Sequence, residues 1–125
     1  LFSYGYTNES IKFYNKVINE YPNNNYAQIR IFENTNVKNL TNKEIEIQFI
    51  KNLNLLNKYY NNKNLLQKYL ELSEYTGKTD WKEFINYWLN KNEDHEKIKK
   101  KLNEYKESND KHLSYLVQLI YNNYQ

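Results

Sequence analysis

Cysteine and methionine are absent from this chain of 125 residues, and proline (Pro22), alanine (Ala27) and arginine (Arg30) each occur once. Each shortage excludes a class of chemistry. Without cysteine there is no disulfide framework, no thiolate metal site and no thiol nucleophile. Two glycines, Gly5 and Gly77, cannot build a loop whose backbone N–H groups cradle a phosphate. The only imidazoles, His95 and His112, belong to no H-x-x-x-H or E-x-x-H pair that would set two metal ligands on one helical face. The longest apolar runs are far too short for a bilayer span, and no signal peptide is visible. The chain starts at Leu1 without a methionine, which points to an excised part of a longer protein from which a targeting segment could have been removed.

What remains is a narrow alphabet of Asn, Lys, Ile, Leu, Tyr and Glu. Asn, Lys, Ile, Tyr and Phe come from AT-rich codons, and the missing Gly, Ala, Pro and Arg from GC-rich ones. The abundant asparagine and the 14 tyrosines therefore reflect genome composition first, rather than a prion-like segment or a stacking platform. The runs Asn23–Asn25 and Asn61–Asn62 fall where turns are wanted. Net charge is +3, and apart from Arg30 every cation is a lysine. Bidentate recognition of phosphate or guanine favours arginine, so this surface argues for solubility more than for nucleic-acid binding.

Apolar residues recur at helical spacing almost everywhere. A first helix is expected from about Asn8 to Tyr21, with Ile11, Tyr14, Val17, Ile18 and Tyr21 on one face. Thr7 or Asn8 would cap it and Pro22 would stop it. Asn25 to Asn34 reads as helix, although Ile29-Arg30-Ile31 also alternates as a strand would. Thr41 to Tyr60 reads as one long helix, opened by the capping box Thr41-Asn42-Lys43-Glu44 and striped by Ile45, Phe49, Leu53, Leu56 and Tyr60. Lys63 to Tyr75 follows, with Gly77 in position for a left-handed C-cap. Asp80, with Glu83 three residues on, is expected to cap a fifth helix bearing Trp81, Phe84, Ile85, Trp88 and Leu89. A thinly striped sixth helix spans about Glu93 to Glu107. A broad-faced seventh begins near Asp110 with Leu113, Leu116, Val117 and Ile120. The fold class is thus all-α: about seven antiparallel amphipathic helices in an irregular bundle or short helical-repeat stack. Residues 1–125 read as one domain, with residues 36–40 as the sole plausible sub-boundary.

Each polar feature has a structural explanation to set beside a functional one. His95, in Glu93-Asp94-His95-Glu96, and His112 both stand at helix starts and read as solvated cap residues. Glu71, Glu74, Asp80 and Glu83 fit ordinary helical roles better than a glycosidase-type carboxylate pair. Trp81 and Trp88, seven residues apart, suit core packing better than a ligand groove. Lys97, Lys99, Lys100 and Lys101 form the most basic patch; interleaved with Glu93, Asp94, Glu96 and Glu104, it reads as a solvated face. Tyr4, Tyr6, Tyr59, Tyr60 and Tyr87 are candidates for partial exposure at an interface. Two sequons, Asn8-Glu9-Ser10 and Asn39-Leu40-Thr41, are expected by chance at this asparagine content.

Gly5, Ser10, Tyr14, Val17 and Pro22 stand at the relative spacings of the second half of a tetratricopeptide repeat, and Tyr26-Ala27 through Ile31 resembles the first helix of the next one. Ser10 would let paired helices approach, Tyr14 would fill the gap between them, and Pro22 would set the turn. The resemblance covers the first quarter of the chain. Phe32 stands where a Gly or Ala is expected, and Asn36–Leu40 interrupts the pattern. It implies a helical-repeat scaffold whose concave face binds a peptide or protein, with Tyr26, Ile29, Arg30 and Glu33 lining the groove side of that helix. Leu40-Thr41…Glu44 and the tryptophan-bearing later helix are also similar to the helical exported domains of malaria parasites (the PHIST class). The expected function is a non-catalytic scaffold for protein–protein interaction, with no cofactor and no metal. The alternatives are an accessory helical domain of a larger enzyme, or a binder of nucleic acid or anionic membrane through Lys97–Lys101.

Overall fold

A computed structural model of the chain describes residues 8–20 and 24–124; in the first helix it describes side chains only at 12, 13, 15–17, 19 and 20. Eight α-helical segments and one 3-10 turn make up the described residues, with no strand among them. They are α1 (Asn8–Glu20), α2 (Asn25–Glu33), the 3-10 turn (Val37–Asn39), α3 (Asn42–Lys51), α4 (Leu53–Lys58), α5 (Lys63–Thr76), α6 (Thr79–Asn90), α7 (His95–Tyr105) and α8 (Lys111–Asn123). The all-α expectation holds, and the ambiguous stretch after Asn24 is helix. Expectations resting on Gly5, Thr7, Tyr21 and Pro22, and on the side chains of Ser10, Ile11, Tyr14 and Ile18, lie outside the described residues.

Short polar side chains set most helix starts, because the first backbone N–H groups of a helix need an acceptor. Asn24 accepts from Ala27 N at 3.1 Å, Asn62 from Leu65 N at 3.1 Å, and Asp94 from Lys97 N at 3.0 Å. Asp110 accepts from both His112 N and Leu113 N. The Thr41 capping box is complete: Glu44 N donates to Thr41 Oγ1 at 3.1 Å, and Thr41 N donates to Glu44 Oε1 at 2.9 Å. The Thr41 backbone N–H first, and then the Thr41 side chain, hold the Glu44 carboxyl below its ordinary range. Gly77 closes α5 at φ 68° and ψ 25°, a left-handed conformation open to glycine at little cost.

Two expected boundaries are corrected. The long helix from Thr41 to Tyr60 is divided at Asn52. Its side-chain Nδ2 donates to Gln48 O at 2.8 Å, the same carbonyl that its backbone N–H reaches at 3.2 Å. An asparagine amide that competes for the ladder in this way interrupts it. The chain then resumes as α4, and Leu53, Leu55 and Leu56 enter the core. Asp80 is not an N-cap. The Gly77–Lys78 connection is so short that α6 begins at Thr79 with Lys78 at the cap position. Asp80 lies in the first turn, where a negative charge complements the helix dipole, and accepts from Ser108 Oγ at 3.0 Å.

The helix α5 is the hub, packed against α2, α3 and α6, while α1 lies on α2 and α7 pairs with α8. One set of rings joins the first half: Phe49 meets Tyr69 at 4.8 Å and Trp81 at 4.9 Å, and Phe32 meets Tyr69 at 5.4 Å. The Tyr69 hydroxyl donates to Phe49 O at 2.6 Å, so its buried polar end is satisfied and α5 is fixed on α3. A second set ties α6 to the α7–α8 pair: Phe84 on Tyr105 at 5.3 Å, Trp88 on Tyr124 at 6.2 Å, and His95 stacked on Tyr124 at 4.6 Å. Trp88 Nε1 donates to Tyr60 O at 3.1 Å, drawing the end of α4 onto α6. Trp81 and Trp88 are thus both core residues. Val37 is buried in the same cluster, and Leu40 packs against it.

Candidate functional site

A groove of about 700 Å³ runs between the α1–α2 pair and the α3–α4 pair. The helix α1 contributes Asn15 and Asn19, and α2 with its exit contributes Asn25, Gln28, Ile31 and Thr35. The other wall is Gln48, Lys51, Asn52, Asn54, Leu55 and Lys58. Seven of these side chains are carboxamides (Asn15, Asn19, Asn25, Gln28, Gln48, Asn52 and Asn54), two are lysines, and none is a carboxylate.

The local sequence explains this lining. Asn15/Asn19 and Gln48/Asn52 are four residues apart and Asn25/Gln28 three, the spacings that put side chains on one helical face. The break at Asn52 lies in the wall, and Lys51, Asn54 and Lys58 on either side of it line the same space. Asn25 Nδ2 donates to Tyr59 Oη at 3.0 Å, which bridges the two walls at one end, and the Lys58 ammonium lies 5.7 Å above the same Tyr59 ring. Lys68 reaches across from α5 to the carbonyl of Thr35, tethering the α2 exit. The carboxamides of Asn15, Asn19 and Asn54 make no hydrogen bond among the described residues, whereas Asn25, Gln48 and Asn52 are already engaged.

The chemistry available here is recognition. A carboxamide carries two donors and an acceptor oxygen, the same groups as a peptide unit. Among the described residues no imidazole or carboxylate lines the groove to move a proton, and the Thr35 hydroxyl is committed to Ile31 O at 2.9 Å.

Two other clefts are smaller. One of about 500 Å³ between α5 and α6 is lined by Lys63, Gln67, Glu71, Glu74, Asn86 and Asn90, among others. One of about 180 Å³ gathers Asp80, Glu83, Glu104 and Glu107 around Tyr105 and Ser108. There the Tyr105 phenol is pushed up to about 12, first by burial and then by the Glu83 carboxylate, to which it donates at 3.3 Å. Among the described residues no set of three His, Cys, Asp or Glu side chains converges on a metal-sized position.

The residues singled out in the sequence are placed as follows. Tyr26, Arg30 and Glu33 share one face of α2: Arg30 lies 5.1 Å over the Tyr26 ring and pairs with Glu33 at 3.3 Å. Ile29 packs against the core. The groove is on the far side of α2 from Tyr26, Arg30 and Glu33, where Asn25, Gln28 and Ile31 project. Of the lysine patch, Lys97 and Lys100 are exposed, Lys101 pairs loosely with Glu104 at 3.8 Å, and Lys99 lies 5.7 Å over the Tyr121 ring on α8. Glu71 pairs with Lys68 at 3.1 Å, and Glu74 is exposed. Tyr59, Tyr60 and Tyr87 are all partly exposed. Sequence reasoning missed the groove because it set asparagine aside as composition. The signal that could have found it is the recurrence of carboxamides at three- and four-residue steps on successive helices.

No protein-family model matches this chain, and no curated protein and no solved structure matches it either.

Proposed function

We propose that this chain is a non-catalytic helical scaffold for protein–protein interaction, and that it holds an extended segment of another protein in the groove between α1–α2 and α3–α4. The observation that carries this reading is the lining: carboxamides from four helices face one space of about 700 Å³, with three of them uncommitted among the described residues. An extended peptide exposes its backbone N–H and C=O groups, and main-chain hydrogen bonds supply affinity in such complexes. Asn15, Asn19 and Asn54 offer both partners without charge, and Ile31 and Leu55 add apolar contact. The tetratricopeptide-like spacing of the first quarter agrees with a scaffold role, although the face it implied on α2 is turned away from this groove.

Selection from a random-peptide display library, followed by fluorescence anisotropy of the recovered peptides, tests the reading. The expected result is that recovered peptides lose at least tenfold in affinity when Asn19 and Asn54 are replaced by Leu. Recovered peptides that bind those variants as well as the parent would remove the groove from the function. A second measurement, chemical-shift mapping of the side-chain amides, separates local loss of contact from any change in fold.

A further inference from the structure

The charge of the groove deepens that reading. The chain carries 15 acidic residues, yet among the described residues none lines this space, and the ionised side chains found in it are those of Lys51 and Lys58. Both are exposed. No carboxylate pairs with either one among the described residues, in contrast to Lys68, Lys78 and Lys101, each of which has an acidic partner within 4 Å. Two ammonium groups beside neutral amides produce a positive potential that is left for an incoming ligand to balance.

Resting on the scaffold reading above, we infer that the segment held here is an acidic extended peptide of another protein, its backbone met by Asn15, Asn19 and Asn54 and its side-chain carboxylates by Lys51 and Lys58. The spacing supports this occupant. Lys51 ends α3 and Lys58 ends α4, seven residues apart in the chain across the break at Asn52; helical rise over that many residues is about 10 Å. Successive side chains on one face of an extended chain stand about 7 Å apart, and the next but one about 13 Å. The flexible lysine stems therefore reach carboxylates two or four residues apart, which an alternating acidic sequence provides. A phosphorylated ligand is a poorer fit: the single arginine, whose fork suits phosphate, lies on the other side of α2.

The test uses three labelled eight-residue peptides on the full chain: alternating Asp and Val, the same with Asn for Asp, and the same with Lys for Asp. Anisotropy at low and moderate salt should give a dissociation constant at least tenfold lower for the Asp peptide than for the Asn peptide. The Lys peptide should not bind. The double variant Lys51→Gln/Lys58→Gln should erase the Asp preference, so that the Asp and Asn peptides bind alike. Both positions are exposed, so far-ultraviolet circular dichroism should be unchanged. Equal binding of the Asp and Asn peptides would overturn the acidic assignment and leave the scaffold standing. Failure of all three peptides to shift the side-chain amide signals of Asn19 and Asn54 would overturn both. Tighter binding of an oligothymidine than of the Asp peptide, or self-association in sedimentation that the double variant abolishes, would also overturn it by naming a different occupant.

Discussion

The ring-packed side of the molecule, from α5 to α8, and the amide-lined groove between α1–α2 and α3–α4 draw on the same narrow alphabet and reach opposite outcomes. With one alanine and two glycines in the chain, helices have few small residues to let their backbones approach. The wide gaps must be filled by large side chains or left open. Where Phe49, Tyr69, Trp81, Phe84 and Trp88 interdigitate, the gap is filled, and the polar ends of Tyr69 and Trp88 find backbone carbonyls. Where Asn15, Asn19, Gln28, Gln48 and Asn54 face one another, closing the gap would strip water from amides without a full set of partners, and it stays open. Stability and recognition are thereby assigned to different walls of the same helix α3.

The largest expected effect is on the filled side. Trp81 is fully buried between Phe49 and Tyr69, and its indole N–H makes no hydrogen bond among the described residues, so its contribution is packing. Trp81→Ala should destabilise the fold by about 3–5 kcal/mol in urea unfolding. Asn19→Ala with Asn54→Ala should change stability by no more than about 0.5 kcal/mol, as exposed substitutions do. If the amide pair cost as much as the tryptophan, the groove would be part of the core and the contrast would collapse.

A middle-sized effect concerns the polar ends of the rings. Burial pushes the Tyr69 phenol well above its ordinary range, so the folded state holds that proton more tightly than the unfolded chain does. Stability from this group is complete below the unfolded value, about 10. It is then lost as pH rises through the folded one. Tyr105, at about 12, acts in the same direction. Urea midpoints should therefore fall steeply above about pH 10. Tyr69→Phe should cost about 1–2 kcal/mol at neutral pH, for the lost bond to Phe49 O, and should flatten the alkaline slope. An unchanged slope would show that Tyr69 is not the residue resisting ionisation.

These two sides were unequally legible in the sequence. Periodicity revealed the core because Phe49, Tyr69, Trp81, Phe84 and Leu113 each stand in an apolar stripe at helical spacing on their own helix, and nothing competes for them. Capping chemistry placed Thr41, Gly77 and Asp110 for the same reason: each satisfies a local demand of one helix end. The break at Asn52 was hidden, since Leu53 and Leu56 continue the stripe of Ile45 and Phe49 and only the amide's bond to Gln48 reveals the interruption. The Asp80 cap failed because a loop of two residues, Gly77 and Lys78, leaves no room for one, a constraint set by how α5 ends. The groove was least legible. A carboxamide in a turn, on a wet surface or in a binding wall looks the same until helices far apart in the chain bring several to one place.

The smallest expected effect is at the lysine patch, and it sharpens the contrast by being small. Lys97→Glu would place an acid in the first turn of α7, where the dipole favours it by about 0.3–1 kcal/mol. Lys100→Glu would replace the favourable spacing to Glu96 with a like-charge one, a pair lost and a repulsion of similar size added, about 0.4–1 kcal/mol in all. The two nearly cancel, and neither lysine touches the ring contact of Lys99 with Tyr121 or the groove. The double variant should therefore keep its urea midpoint and bind the acidic peptide as tightly as the parent at moderate salt, when charges this far apart are screened. A loss there as large as that of the Lys51→Gln/Lys58→Gln pair would mean that net charge, rather than the place where two lysines meet a wall of amides, decides what this molecule holds.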